Sequence, residues 1–188
     1  EDFAALLETF FDFLDSREKG QNDAQATLAA GRQHILGKVN SRMEALLDTD
    51  VGQHVNALLA RSGPMGDLEA MTERAQPLID DALKVANPAA TVLSHGDACF
   101  SNILFDRRLG MMRLIDPKGA TRREDAFLHP LYDIAKFSHS VLGGYDFINN
   151  GLFQITLGSA LTLELNWTTQ GPAPWAGEMF RAQATGAG

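Results

Sequence analysis

Apolar residues recur every three to four positions through the first half of the chain, which predicts a series of amphipathic helices. The first stripe runs from Phe3 to Leu14 and ends near Lys19-Gly20. Pro77 lies inside the last helical stripe and predicts a kink or a split there. The other helices are predicted after the N-cap Asp23 as far as Leu47, near Gln53–Arg61, and from Asp67 to the breaker Asn87-Pro88.

The pattern changes at residue 89, where short apolar runs replace the long stripes. These runs are Thr91–Ser94, Asn102–Phe105 and Met111–Ile115, and their length and composition predict strands. The segment Asp106–Gly110 has the composition of a turn, so the last two runs are predicted to form a hairpin.

Helical periodicity returns at Leu131–Leu142 and ends at Gly143-Gly144. Farther on, apolar and polar residues alternate from Leu161 to Trp167, which predicts a strand. Pro172, Pro174 and the Ala/Gly-rich end predict a loose tail. The predicted fold is α+β, one domain over 1–188: a helical part (1–88), a region of strands and loops (89–119), and a part with helices, a hairpin and a tail (120–188).

Composition narrows the class of protein. A chain of 188 residues that is 45% hydrophobic and 21% charged is an ordinary globular domain. Its formal charge of −8 opposes binding to nucleic acid or to an anionic membrane. No apolar run approaches the roughly 20 residues of a membrane span, and a single cysteine fits a reducing compartment. We therefore expect a cytoplasmic protein whose oligomeric state the sequence leaves open.

One segment carries a pattern of polar residues suited to catalysis. His95, Asp97 and Asn102 lie on a tight loop between two predicted strands, and Asp116 ends the next strand, 19 residues after Asp97. The predicted hairpin brings Asn102 and Asp116 together at one end. A carboxylate with an amide oxygen suits Mg²⁺, and Asp97 lies near enough to accept a proton from a hydroxyl group. The spacing His-x-Asp, four residues, then Asn, with a later strand-end Asp, is that of a protein-kinase loop.

The motif HGDACFSN followed by LIDP resembles the aminoglycoside phosphotransferase and choline kinase-like superfamily, and Tyr132–Lys136 resembles the helix after its catalytic loop. The resemblance implies the mainly helical C-terminal lobe of a protein kinase-like fold. It implies ATP-dependent phosphoryl transfer to a hydroxyl of a small molecule such as a sugar, an aminoglycoside-like compound or an amino alcohol. Carried over by position, the implied roles are base for Asp97, Mg²⁺ and hence MgATP binding for Asn102 and Asp116, and structural support of the loop for His95 and Asp133.

The part of a kinase that covers the nucleotide is not found in these residues. The chain contains no G-x-G-x-x-G, no phosphate-binding P-loop and no lysine on a predicted strand before His95. It also begins with Glu1 rather than Met. We therefore expect a processed or partial chain that lacks the N-terminal nucleotide lobe and is inactive by itself.

Two other functions remain open at this stage. A non-catalytic kinase-like module could bind or scaffold a partner, although it would be free to lose one of Asp97, Asn102 and Asp116, and all three are present. A metal-dependent hydrolase could use His95, Asp97 and Asp116, but it would need a further ligand that the sequence does not offer.

Individual residues also have simpler interpretations. Asp97 and Asn102 could be turn formers, and Asp133 could be a charge on a helix surface. Lys118, Arg122 and Arg123 follow Asp116 and could contact phosphate or an anionic substrate, or form a solvated basic loop.

Overall fold

The computed structural model describes residues 1–62, 65–86, 89–158 and 163–186, which combine helices with small sheets. The helices are α1 (Asp2–Ser16), α2 (Ala24–Arg32), α3 (Lys38–Leu47), α4 (Asp50–Ser62), α5 (Leu68–Ala86), α6 (Leu131–Val141), α7 (Tyr145–Asn149) and α8 (Pro174–Thr185). The strands are β1 (Lys19–Asn22), β2 (Ala90–Leu93), β3 (Ile103–Asp106), β4 (Met111–Leu114), β5 (Phe127–Leu128), β6 (Phe153–Leu157) and β7 (Leu163–Trp167). The π-helical stretch Gln33–Gly37 joins α2 to α3.

The chain divides into two compact units. The larger unit consists of Glu1–Lys19 and Val92–Gly188, and the smaller unit is Gly20–Thr91. Helix α1 thus belongs with the strands and loops near the middle of the chain, whereas the sequence pattern had grouped it with the helices that follow it. All residues of the predicted catalytic pattern lie in the larger unit.

The smaller unit contains the capped helices that the sequence predicted. Asp23 accepts a hydrogen bond from the Ala26 amide at 3.0 Å and caps α2, and Asp67 accepts one from the Ala70 amide at 2.9 Å and caps α5. These predicted caps are confirmed. Pro77 lies inside α5 without dividing it, because the helix is continuous from Leu68 to Ala86. The predicted breaker Asn87-Pro88 lies outside the described residues.

Antiparallel pairing joins β2 to β5, β3 to β4 and β6 to β7. β3 pairs with β4 in the register Ile103↔Leu114 to Asp106↔Met111, which confirms the predicted hairpin. β6 pairs with β7 from Phe153↔Trp167 to Leu157↔Leu163, and β1, β2 and β5 form a sheet in that order. The predicted strand from Leu161 to Trp167 is therefore confirmed from Leu163 onward, and Leu161 itself lies outside the described residues.

An aromatic core holds the larger unit together. The rings of Phe10 and Phe137 stack with centroids 4.2 Å apart, and Phe180 stacks on Phe137 at 5.5 Å. Stacked aromatic pairs stabilise a fold by about 0.5–1.5 kcal/mol beyond the area that they bury. The cluster also includes Ala98, which is fully buried, so the loop that bears Asp97 is anchored directly in the core.

The structure corrects further predictions. The expected loose tail contains α8, because Pro174 occupies the first turn of that helix, where proline needs no amide hydrogen. The first helix ends at Ser16 rather than near Lys19-Gly20, and Lys19 begins strand β1. The expectation that no lysine lies on a strand before His95 is therefore wrong. Among the described residues, no helix combines the length and the apolar character needed to cross a membrane.

Candidate active site

The loop His95–Asn102 connects β2 to β3 and presents one acidic side chain between two buried residues, Gly96 and Ala98. Ala98 and Cys99 are buried, and the loop closes with a single 3-10 turn before β3 begins. The Asp97 side chain, by contrast, is 41% exposed. Since its neighbours are held in the core, Asp97 presents a carboxylate to solvent from a fixed backbone.

Asp133 at the start of α6 holds the backbone of this loop. Its Oδ1 accepts a hydrogen bond from the Gly96 amide at 2.8 Å, and its Oδ2 accepts one from the His95 amide at 3.3 Å. The Arg17 guanidinium lies 3.0 Å from the same Oδ2. Asp133 is completely buried, so its interpretation as a helix-surface charge is wrong. The residue lies where a supporting role for the loop requires it.

Arg17 is the counter-ion of this buried carboxylate. Burial lowers the pKa of Arg17, while the Coulomb attraction of Asp133 and their hydrogen bond raise it. The guanidinium remains charged at neutral pH, and its Nη2 also donates to the Pro130 carbonyl at 3.2 Å. The loop thus depends on an ion pair that reaches from α1 to α6.

Gly96 has a backbone conformation that suits glycine. Its φ is +78°, and a β-carbon at this position would lie 2.8 Å from the β-carbon of Lys118. The close approach arises because the Lys118 amide donates to the His95 carbonyl at 2.9 Å. The turn therefore brings the segment after Asp116 against the base of the loop.

Two nitrogen donors contact the Asp97 carboxylate. The Lys136 ammonium lies 2.8 Å from Oδ1, and the Asn102 amide nitrogen lies 3.4 Å from Oδ2. The same Asn102 nitrogen donates to the Asp97 carbonyl oxygen at 2.9 Å. A carbonyl oxygen can only accept, so this contact fixes which end of the Asn102 side chain is the nitrogen. The Asn102 amide oxygen is thereby left as the group available to a cation.

Asn102 and Asp116 lie at the same end of the β3–β4 hairpin. The Ile115 amide donates to the Asn102 carbonyl at 2.9 Å, and Asp116 is the next residue. Asp116 is exposed and adopts a left-handed conformation with φ of +53°. Such a conformation is uncommon outside glycine, and Asp is among the residues that tolerate it. The hairpin therefore brings the two residues to one end, as its predicted register required.

The oxygens of Asn102 and Asp116 suit Mg²⁺ better than they suit a metal whose ligands all come from the protein. In the part of the chain that the structure describes, no three His, Cys, Asp or Glu side chains form a metal-binding group. Mg²⁺ commonly uses one or two protein oxygens and completes its shell with water and phosphate oxygens. Asn102 and Asp116 would supply such a pair.

His95 has a structural position. Its Nε2 lies 3.0 Å from the Ile115 carbonyl oxygen, which joins the loop to the end of β4. The residue is buried, and its Nδ1 is buried without a hydrogen-bond partner among the described residues. These contacts fit the predicted supporting role, and they disfavour the hydrolase alternative because its histidine ligand is buried.

The three basic residues after Asp116 contact different partners. Arg122 pairs with Asp125 at 2.9 Å, and Arg123 pairs with Glu18. The Lys118 ammonium lies 5.7 Å from the centre of the Tyr132 ring. Both arginines are thus bound to carboxylates in the larger unit, which favours the solvated-loop interpretation for them.

Four further residues, which no sequence motif marked, contact the loop, the Asp97 side chain or the Asp133 carboxylate. Ser140 accepts a hydrogen bond from the Phe100 amide at 2.9 Å, and Asp146 accepts one from the Ser101 amide at 3.3 Å. The others are Arg17 and Lys136. The spacing of Asp133, Lys136 and Ser140 was a usable signal, because residues three or four apart share a helix face.

No family model, curated protein or solved structure matches this chain. The function must therefore be argued from the motif and from the geometry of this site.

Proposed function

We propose that this chain is the metal- and acceptor-binding lobe of an ATP-dependent small-molecule kinase. The observation that carries the proposal is the Asp97 carboxylate, which is exposed beside the core residue Ala98 and is bound through Asn102 to the end of the β3–β4 hairpin. Asp116 follows at that end. If Asp97 and Asn102 merely formed turns, their loop would not need the buried ion pair between Arg17 and Asp133 that holds its backbone.

The reaction transfers the γ-phosphoryl group of ATP to a hydroxyl group. The acceptor oxygen forms a bond to the γ-phosphorus while the bond from that phosphorus to the bridging oxygen of ADP breaks, and ADP retains the electron pair. Asp97 orients the hydroxyl and accepts its proton. The chain contributes positioning and charge stabilisation, which are the main sources of catalysis in phosphoryl transfer.

Asn102 and Asp116 are the residues that would hold Mg²⁺. The ion, when bound with ATP, neutralises charge on the phosphate oxygens. The Asn102 amide is held by its hydrogen bond to the Asp97 carbonyl, which links the proposed metal ligand to the proposed base. The acceptor is a small hydroxylated molecule, and we place the reaction in the cytoplasm, where ATP is supplied.

A screen for phosphoryl transfer tests this proposal. The full-length gene product that carries this sequence is incubated with MgATP and a panel of sugars, amino sugars, amino alcohols and hydroxy amino acids. Each product is examined by mass spectrometry for an added phosphoryl group. We expect one class of acceptor to be phosphorylated only when Mg²⁺ is present. Failure of the whole panel, together with no rise in melting temperature on adding MgATP, would favour the non-catalytic module.

A further inference from the structure

Helix α6 directs three polar side chains at the His95–Asn102 loop from one face. Asp133 holds the beginning of the loop, Lys136 contacts its middle, and Ser140 holds its end. Two of these contacts are hydrogen bonds to backbone amides, which any loop could need. The contact of Lys136 differs, because it is made to the side chain of the proposed base.

Lys136 and Asn102 contact different oxygens of the Asp97 carboxylate. Lys136 lies at 2.8 Å from Oδ1, and Asn102 lies at 3.4 Å from Oδ2, so each oxygen has a nitrogen donor. Contacts to both oxygens fix the orientation of the group. The Asp97 side chain is also more exposed than that of Lys136, at 41% against 20%.

We propose that Lys136 is a positioning residue, which fixes the orientation of the Asp97 carboxylate for the acceptor hydroxyl. The inference rests on the proposed function, since it assigns to Asp97 the contact with the hydroxyl. Lys136 acts through Asp97. Lys136 lies on the same helix as Asp133, so one helix contacts both the proposed base and the backbone that carries it.

Steady-state kinetics of the full-length gene product test the inference with Lys136→Met and Lys136→Arg. Misplacing a reacting group by about 1 Å can lower a rate by about 100-fold, so we expect kcat of Lys136→Met to fall by about 10- to 100-fold. The KM values for MgATP and for the acceptor should change by less than about threefold, because Lys136 does not bind either substrate. Lys136→Arg keeps the charge and should recover most of kcat.

Lys84→Met is the matched control. Lys84 lies 3.4 Å from Asp81 in an exposed ion pair of the smaller unit, so the same substitution should leave kcat unchanged there. Urea unfolding of each variant establishes that it is folded. If Lys136→Met does not fold, Lys136→Gln takes its place and carries the same expectation for kcat.

The double variant that combines Asp97→Asn with Lys136→Met shows whether Lys136 acts through Asp97 or independently of it. Residues that act as a unit show non-additive losses, so Lys136→Met should lower kcat no further when Asp97 is already asparagine. An equal loss in both backgrounds would overturn the inference, and so would unchanged or increased kcat in Lys136→Met alone. Absence of transfer by the unmodified protein would instead refute the proposed function, and the inference with it.

Discussion

The ion pair between Asp133 and Arg17 offers a sharp test of how the loop is held. The two carboxylate oxygens of Asp133 receive donors from His95, Gly96 and Arg17. In Asp133→Asn only one side-chain oxygen remains. The amide nitrogen that replaces the other oxygen is itself a donor, and it must face one of these three donors whichever way the side chain is turned. The substitution also leaves the Arg17 guanidinium buried without its counter-charge.

The expected loss of stability follows from this burial. The side chains are 5% exposed for Arg17 and 0% for Asp133. Removing one partner of a buried pair typically costs about 3–5 kcal/mol, because the remaining charge is uncompensated. We therefore expect Asp133→Asn to lower the free energy of unfolding by that amount. In the double variant with Arg17→Met no charge is left buried, so its loss should be smaller than the sum of the two single losses by at least about 1 kcal/mol.

Urea unfolding followed by tryptophan fluorescence measures the free energy of unfolding of the larger unit, which contains the ion pair. The two tryptophans of the chain, Trp167 and Trp175, both belong to the larger unit. Asp2→Asn is the control, since Asp2 forms an exposed pair with Arg107 at 3.4 Å and should change stability by less than about 1 kcal/mol. A loss below about 1 kcal/mol for Asp133→Asn, or additive losses in the double variant, would refute the reasoning.

Three further changes probe the same unit by the same unfolding measurement. Gly96→Ala should cost about 1–3 kcal/mol, because its φ of +78° is unfavourable for alanine and the new methyl group meets Lys118; an unchanged midpoint would contradict this. Ser140→Ala leaves a loop amide unpaired and should cost about 1–3 kcal/mol, whereas Ser138→Ala loses only a bond within its own helix and should cost less. Burial lowers the pKa of His129, so the unfolded chain binds its proton more tightly, and the free energy of unfolding should fall as the pH drops through the ordinary value of 6.5. That fall should reach at most about 1.4 kcal/mol per pH unit from this residue, and His129→Asn should remove it; an identical pH slope in the variant would show that His129 is not its source.

The local features of the fold were readable from the sequence because they depend on nearby residues. The caps Asp23 and Asp67 lie next to the apolar stripes that they begin, and the β3–β4 hairpin is contained within a dozen residues. Helix α8 was missed because Pro172, Pro174 and the Ala/Gly-rich end were interpreted as a loose tail, although proline is well suited to the first turn of a helix.

Only some of the residues that support the loop could be predicted from the sequence. Asp133 and its position relative to the loop came from the motif, but its partner Arg17 is 116 residues away and belongs to no motif. Nothing in a local pattern marks Arg17 as buried rather than exposed. Likewise, the pairing of α1 with residues beyond Val92 depends on which apolar faces pack together, and periodicity identifies the faces without their partners.

Phosphoryl transfer by Asp97→Asn tests the central claim most directly. The rate of product formation is measured for the full-length gene product at saturating MgATP and acceptor, beside Asp106→Asn, whose side chain only caps the hairpin turn through the amides of Arg108 and Leu109. General acid–base groups typically contribute about 10²- to 10⁴-fold to a rate. We predict a loss of that size for Asp97→Asn in a folded protein and near-normal turnover for Asp106→Asn. Turnover by Asp97→Asn close to that of the unmodified protein would contradict the assignment of Asp97 as the base.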